Sequence, residues 1–234
     1  MFKKSLALAI GLAFAALATA DEAEIKKTME ARLGTKVESV TKAGYLGLYE
    51  VYADGTIFYT DDKASAVIVG GNLIDAKTMQ NVTNERMKKL TAIKFGDLPL
   101  ERAIKQVRGD GKRVLASFED PNCGYCKRLA KDVQKLDNVT IYTFLYPILS
   151  EDSLRKSKQI WCAPDRAKAW NDWMVDGKAP PAKEDCDTSA VSKNQEFGRK
   201  LNISGTPTLF FVDGERIPGA VPVARIEQKL NQPK

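Results

Sequence analysis

The 234-residue chain contains no histidine. That absence excludes a Ser-His-Asp triad, a Cys-His dyad, an HExxH zinc site and any imidazole proton shuttle. Acid–base or nucleophilic chemistry must come from Cys, Asp, Glu, Lys, Tyr or Ser. Cysteine is scarce: four residues, all in the second half. Long apolar runs are missing too. Leu6 to Ala18 is the one uncharged apolar stretch of note, and it is too short to span a bilayer. The net charge is +6, but no Lys/Arg cluster interleaves with aromatics, so nothing argues for a nucleic-acid partner. Internal repeats and low-complexity segments are absent.

The first twenty residues have the layout of an export signal. Lys3 and Lys4 form a basic start, the apolar run follows, and Ala18-Thr19-Ala20 is a small-x-small cleavage site. Cleavage after Ala20 removes two lysines and lowers the net charge to +4. A retained membrane anchor is the competing reading. An exported protein occupies an oxidising compartment, where cysteines are usually paired.

Beyond Ala20 the periodicity changes several times. Ile25, Met29 and Leu33 at four-residue spacing predict an amphipathic helix over 21–33, ended by Gly34. Strands are expected at 37–41, 46–53, 57–60 and 66–69, with Asp54-Gly55 as a hairpin turn. A module this small, with exposed edges and no cysteine, commonly stabilises itself by pairing with a copy of itself. Thr83 can cap a helix running to about Lys94, whose thin apolar stripe suits a connector between domains. A second helix is expected over 100–107, with Ala103, Ile104 and Val107 inward. From Lys112 the order is strand (114–118), helix (123–136), strand (139–145), a helical stretch (150–201) broken by Ala179-Pro180-Pro181, a hairpin around Asp213-Gly214, and a closing helix (222–230). That order is the one expected of a thioredoxin-type domain with a helical insertion.

Cys123-Gly124-Tyr125-Cys126 follows a strand and opens a helix. Residues three apart share a helix face, so the two sulfurs can meet. Asn122 is the expected N-cap, which puts Cys123 where free N–H groups favour an anion. Lys127 and Arg128 add positive charge nearby. The thiolate is the reactive species, so the pKa of Cys123 should fall from about 8.5. Cys126, one turn further in, is better placed to resolve a mixed disulfide than to start one. A purely structural bond is disfavoured here, because so small a ring removes little chain entropy. A zinc site would need a second close pair, whereas Cys162 and Cys186 lie far apart in sequence. The simplest reading joins Cys162 to Cys186 across the Pro-Pro loop, worth roughly 3.5 kcal/mol by loop entropy; a second redox pair is the alternative. Trp161, Trp170 and Trp173 should pack around this insertion. Pro207, entering a strand after Gly205-Thr206, is trans on base rates alone.

The motifs Phe118-Glu119-Asp120-Pro121-Asn122-Cys123-Gly124-Tyr125-Cys126, Ile160-Trp161-Cys162-Ala163 and Ser204-Gly205-Thr206-Pro207 together resemble the DsbC/DsbG family of periplasmic thiol:disulfide isomerases, nearer its DsbC branch. Tyr59-Thr60-Asp61-Asp62 and Asn81-Val82-Thr83-Asn84 extend the likeness through the N-terminal part. The resemblance implies an α+β protein in four spans. These are a signal peptide (1–20), a small α+β dimerisation domain (21–81), a linker helix (82–97) and a thioredoxin-like catalytic domain with a helical insertion (98–234). It implies catalytic Cys123 and Cys126 around Gly124 and Tyr125, a cis-proline loop at Thr206 and Pro207, and a structural Cys162–Cys186 bond. It implies a periplasmic homodimer acting on misfolded disulfide-containing exported proteins, kept reduced by a membrane reductase of the DsbD type. No cofactor and no metal are called for. One position departs from the wider pattern. Many thioredoxin-like proteins carry a buried acid six residues before the first active-site cysteine, and here that place holds Ser117. Glu119 or water is left as the proton acceptor for Cys126. Two other tasks fit the same residues: a DsbG-like reductase of sulfenylated cysteines, and a holdase dimer whose cleft captures unfolded chains.

Overall fold

The computed structural model describes residues 13–232, so residues 1–12 of the expected signal segment lie outside the described residues. The chain separates into two compact units that part between Met87 and Lys88. Among the described residues no helix is long and apolar enough to cross a membrane.

The first unit is an antiparallel meander under one helix. Helix α1 (Ala13–Leu33) begins before the expected Asp21 and stops at Gly34, whose φ of +66° is left-handed. Strands β1 (Val37–Lys42), β2 (Tyr49–Ala53), β3 (Thr56–Thr60) and β4 (Val67–Ile68) follow in spatial order. Asp54 and Gly55 both have positive φ, as a two-residue hairpin turn between β2 and β3 requires. Ile25 and Met29 of α1 pack on Val37, Val40, Tyr49 and Val51, which is the burial their spacing foretold. Helix α2 (Val82–Leu90) ends four residues short of Lys94. Its start is capped by Asn81, whose Oδ1 accepts from Asn84 N at 2.9 Å. Thr83 is buried instead; its Oγ1 meets the Tyr59 hydroxyl at 2.7 Å and accepts from Leu73 N at 2.8 Å. Buried Glu50 is held by a forked pair of bonds from Arg86, at 2.9 and 2.8 Å.

The second unit is a five-stranded sheet with helices on both faces. Its strands are β5 (Ile104–Arg108), β6 (Arg113–Glu119), β7 (Val139–Leu145), β8 (Thr208–Phe211) and β9 (Arg216–Pro218), in spatial order β5-β7-β6-β8-β9. β6 and β7 are parallel, and the other neighbours are antiparallel. Helices α3 (Gly124–Asp132), α4 (Glu151–Trp161), α5 (Arg166–Met174), α6 (Ser189–Lys200) and α7 (Val223–Leu230) complete it. The helix expected over 100–107 is not there. Leu100–Arg102 is a single 3-10 turn, and Ile104 to Arg108 pairs with β7 as the sheet edge. The Ile104/Val107 spacing suggested a helical stripe, but Val107 is 55% exposed and only Ile104 is buried. Pairing of the β7 edge overrides local spacing.

Alternation along β6 sends Leu115 to a cluster with Leu129 and Val133 of α3 and Ile226 of α7. Ala116 and Phe118 go to the opposite face, with Phe144, Tyr146 and Phe210. Phe118 stacks on Phe144 with ring centroids 4.6 Å apart. The insertion α4–α6 has its own core of Ile160, Trp161, Trp170, Met174 and Val191, which also receives Cys123 and Cys126.

Gly198 in α6 sits against the buried Tyr146 ring: a Cβ there would lie 2.7 Å from Cζ. Tyr146 cannot swing away, because its hydroxyl donates to Ile203 O at 2.9 Å. Gly198→Ala would gain about 1 kcal/mol of helix propensity, but overpacking costs about 1–3 kcal/mol. Urea unfolding should show a net loss of up to about 2 kcal/mol; a stabilised variant would contradict this packing.

Candidate active site

The site is built where β6 turns into α3. Asp120, fully buried, organises that turn: its Oδ1 accepts from Asn122 N at 2.7 Å. Its Oδ2 accepts from Ile148 N at 2.8 Å and Leu149 N at 3.0 Å, tying the turn to the β7–α4 loop. Trp173 of α5 adds a third tie by donating Nε1–H to Pro121 O at 2.6 Å. Asn122 is not the helix cap. Its Nδ2 donates to Asp152 Oδ2 at 2.7 Å, and the cap is Cys123 itself, in extended conformation. The Cys123 sulfur accepts from Cys126 N at 3.3 Å, as a capping oxygen would.

Cys123 and Cys126 are both unbonded and buried, Cys126 completely. Gly124 and Tyr125 between them face solvent, Tyr125 at 62% exposure. Across from them the Thr206–Pro207 peptide is cis, and Cys123 Sγ lies 3.3 Å from Thr206 O. The loop is fixed by Gly219 N donating to Pro207 O at 2.7 Å and by Thr208 Oγ1 donating to Gly205 O at 2.8 Å. The second cysteine pair lies elsewhere: Cys162 and Cys186 are bonded to each other in the insertion, with Trp161 Nε1 donating to Asp187 O beside them. The structure thus gathers Cys123, Gly124, Tyr125, Cys126, Thr206 and Pro207 into one place and leaves Cys162 and Cys186 out of it.

The two thiols are driven apart in acidity. The pKa of Cys123 is lowered to about 5. The Cys126 thiol, hydrogen-bonded to it, is the largest cause; Thr206 and the Cys126 and Tyr125 amides add to it against burial, which acts the other way. Cys126 moves up, first through burial, then because its proton is engaged by Cys123, then through the nearby Glu119 charge. The cations beside the motif act mainly on aromatics: Lys127 Nζ is 4.1 Å from the Trp173 ring centroid, and Arg128 is 5.6 Å from that of Tyr125. Hydrogen bonds at the helix start, rather than these side chains, lead the activation of Cys123.

Glu119 is 3% exposed and sits on the same β6 face as Ser117, whose hydroxyl donates to its Oε1 at 2.6 Å. Burial raises its pKa to about 8, with the Cys123 charge adding to the rise. Sequence reasoning gave Asp120 and Trp173 no part in holding the site, and did not single out the exposed Ile148 and Leu149, which with Tyr125 give the site an apolar rim. Burial of a lone Asp in a turn, and contacts reaching fifty residues along the chain, leave no local pattern to read.

Comparison with known proteins points the same way. Residues 100–234 match the family model of a thioredoxin-like domain, and residues 16–84 match that of the disulfide bond isomerase protein N-terminal domain. The chain is 50% identical over 197 residues to the probable thiol:disulfide interchange protein DsbC of Bordetella parapertussis, covering 84% of this chain and 69% of that protein. It is 28% identical over 226 residues to the thiol:disulfide interchange protein DsbC of Escherichia coli, covering 94% and 92%. A crystal structure of a disulfide interchange protein from Neisseria gonorrhoeae is 43% identical, with a TM-score of 0.55 over 57% of this chain and 96% of that one.

Two outcomes follow from this geometry. Iodoacetamide should label Cys123 with a rate that rises through a midpoint at about pH 5, whereas an ordinary thiol gives about 8.5. A lowered folded pKa stabilises the reduced fold above the unfolded value, and that stabilisation is lost as pH falls through about 5. A labelling midpoint above about 8 would refute the hydrogen-bonded thiolate. Separately, Asp120→Ala leaves three part-buried amides without their acceptor. It should cost about 3 kcal/mol or more in urea unfolding of the reduced protein; a loss below about 1 kcal/mol would contradict the clamp.

Proposed function

The chain belongs to the DsbC family of thiol:disulfide interchange proteins, and from that premise we propose that Cys123 attacks and Cys126 resolves in a periplasmic isomerase of misfolded exported proteins. The observation that carries this reading is the split between two adjacent unbonded sulfurs, one with a lowered pKa at a helix start and one fully buried behind it. In the forward step the Cys123 thiolate forms a bond to one sulfur of a wrong substrate disulfide, and the other substrate sulfur leaves as thiolate. A different substrate thiolate then attacks the mixed disulfide, a new substrate bond forms, and Cys123 leaves as thiolate. Its low pKa makes it a good leaving group in that second step. When no substrate thiol is within reach, Cys126 attacks Cys123, and the substrate departs reduced.

The cis Thr206–Pro207 loop beside the sulfur supports a further role. Its backbone faces Cys123, where an extended substrate segment would lie. Tyr125, Ile148 and Leu149 offer apolar contact for unfolded chains, which favours a holdase contribution alongside the redox one. Reductive rescue of sulfenylated cysteines would use the same two sulfurs. Isomerisation needs Cys123 reduced at the outset, so a DsbD-type membrane reductase belongs to the proposal. So does a homodimer, supported by the N-terminal family match and by the short β4 edge with Ile68 and Val69 exposed. The division into a dimerisation domain (21–81), linker helix (82–97) and catalytic domain (98–234) is likewise part of this reading, as are export by residues 1–20 and a structural role for Cys162 and Cys186.

The test is refolding of a scrambled multi-disulfide protein. Cys123→Ser should abolish recovery of native bonds, whereas Cys126→Ser should retain part of it and accumulate mixed disulfides on non-reducing gels. Full recovery with Cys123→Ser would overturn the assignment.

A further inference from the structure

Lys156 of α4 is withdrawn from water to a degree unusual for a lysine: its side chain is 17% exposed, against 59% for Arg155 beside it. It has two partners there. Its ammonium pairs with Asp152 one helical turn back, and it lies 4.7 Å from the centroid of the Trp173 ring in α5. Each partner in turn grips the chain just before Cys123. Asp152 Oδ2 accepts from Asn122 Nδ2 at 2.7 Å, and Trp173 Nε1 donates to Pro121 O at 2.6 Å. Pro121 and Asn122 share a peptide bond, so the contacts close into a ring that runs from Pro121 through Asn122, Asp152, Lys156 and Trp173 and back to Pro121. Two further charges bear on it: Lys127 of α3, 4.1 Å from the same ring centroid, and Arg155, which pairs with Asp152. Cations held against an indole polarise it and strengthen its N–H as a donor. Trp161 of the same insertion spends its N–H on Asp187 O and takes no part.

We propose that Trp173 and Lys156 are positioning residues for the attacking sulfur: they close a ring of contacts that holds the Pro121–Asn122 segment, so that Cys123 stays extended with its sulfur on the Cys126 amide. The proposal rests on the attacking role given to Cys123 above. Cys123 has φ −73° and ψ 118°, and its Sγ lies 3.3 Å from Cys126 N. Asp120 fixes the backbone of this turn, accepting from Asn122 N through its side chain and from Cys123 N through its carbonyl at 3.1 Å. The Pro121 carbonyl and the Asn122 side chain are left to the ring. Hydrogen bonds weaken steeply once misaligned, and the species that depends on this one is the thiolate. A neutral thiol gains little from the amide. In the Cys123–Cys126 disulfide the sulfur carries no charge for the amide to meet. The ring therefore favours the reduced, ionised state over both alternatives, and with it a Cys123 that attacks and leaves readily. Because the contacts form a closed circuit, each link works through the others, and opening any one of them releases the segment.

The experiment uses the full chain and two readouts: the rate of Cys123 labelling by iodoacetamide against pH, and the equilibrium with glutathione. In the second, the two thiols of the pair are oxidised to the disulfide while glutathione disulfide is reduced to two glutathiones. Trp173→Phe keeps an aromatic face for the lysines and removes only the N–H. Lys156→Met keeps the apolar stem and removes the charge. Each should slow labelling below the wild-type midpoint at least about threefold, and move the glutathione equilibrium towards the Cys123–Cys126 disulfide by about the same factor. The double variant should match the larger single effect, because the ring is already open; effects that multiply would show separate ties and overturn the ring. Lys156→Arg keeps the charge and can both pair and stack, so it should restore wild-type values. Unchanged labelling and equilibrium in both single variants would overturn the positioning role. A loosening that weakens both redox forms alike lowers stability in urea but moves neither readout. Should Trp173→Phe fail to fold, Asp152→Asn opens the ring at its more exposed end, with the same result expected and the same result overturning it. If wild-type Cys123 reacted with neither reagent, the attacking-cysteine reading would fail instead, which is a distinct result.

Discussion

A sulfur atom caps a helix. Cys123 Sγ takes the place of the oxygen that usually receives the first free amide of an α-helix, at 3.3 Å from Cys126 N. A neutral thiol is a poor acceptor and a thiolate a good one, so the local fold and the reactive charge state favour each other. Most of the surrounding structure serves to keep that sulfur in place. Asp120 pins the turn before it, Trp173 holds Pro121 from α5, Asn122 reaches Asp152 in α4, and the cis-Pro207 loop closes the far side. The helical insertion is thus more than an appendage. Its core takes in both sulfurs, and two of its helices hold the turn that presents them.

Buried acids in the two units make an instructive contrast. Glu50 is out of water, yet both of its oxygens are met by the Arg86 fork, so its role is explained by packing alone. Asp120 is equally buried and satisfied by three amides. Glu119 is the one left half-satisfied: Oε1 accepts from Ser117, and Oε2 has no hydrogen-bond partner among the described residues. The first two are architectural in the plain sense that nothing about them is left over. In the third, the unfilled valence is itself the informative feature.

Much of this was legible in the sequence because it is local. The C-x-x-C at a strand-to-helix junction, the Asp54-Gly55 hairpin and the four-residue spacing of Ile25 and Met29 all encode themselves within a few residues. Failures came where distant partners decide. Ile104 and Val107 have a spacing that either a helix or an edge strand can accept, and β7, more than thirty residues away, settles it as a strand. Thr83 and Asn81 are both capping residue types. Tyr59 recruits the first into the core and leaves the second at the helix start. Asn122 lost its expected role to its own neighbour for the same reason, because Asp152 claims its side chain. Trp173 was read as part of the insertion core, and only the folded chain brings its indole to Pro121.

The disulfide in the insertion has a consequence for how the protein comes into being. Cys162 and Cys186 are joined while Cys123 and Cys126 are open. The finished molecule therefore carries both redox states at once within one unit. On the function proposed for it, such a protein meets an oxidant during maturation and a reductant throughout its working life, and the second must not undo the work of the first. A protein that corrects the pairing of other chains is in this respect a client before it is a catalyst: of the six single bonds its four cysteines could form, only Cys162–Cys186 leaves Cys123 and Cys126 both free.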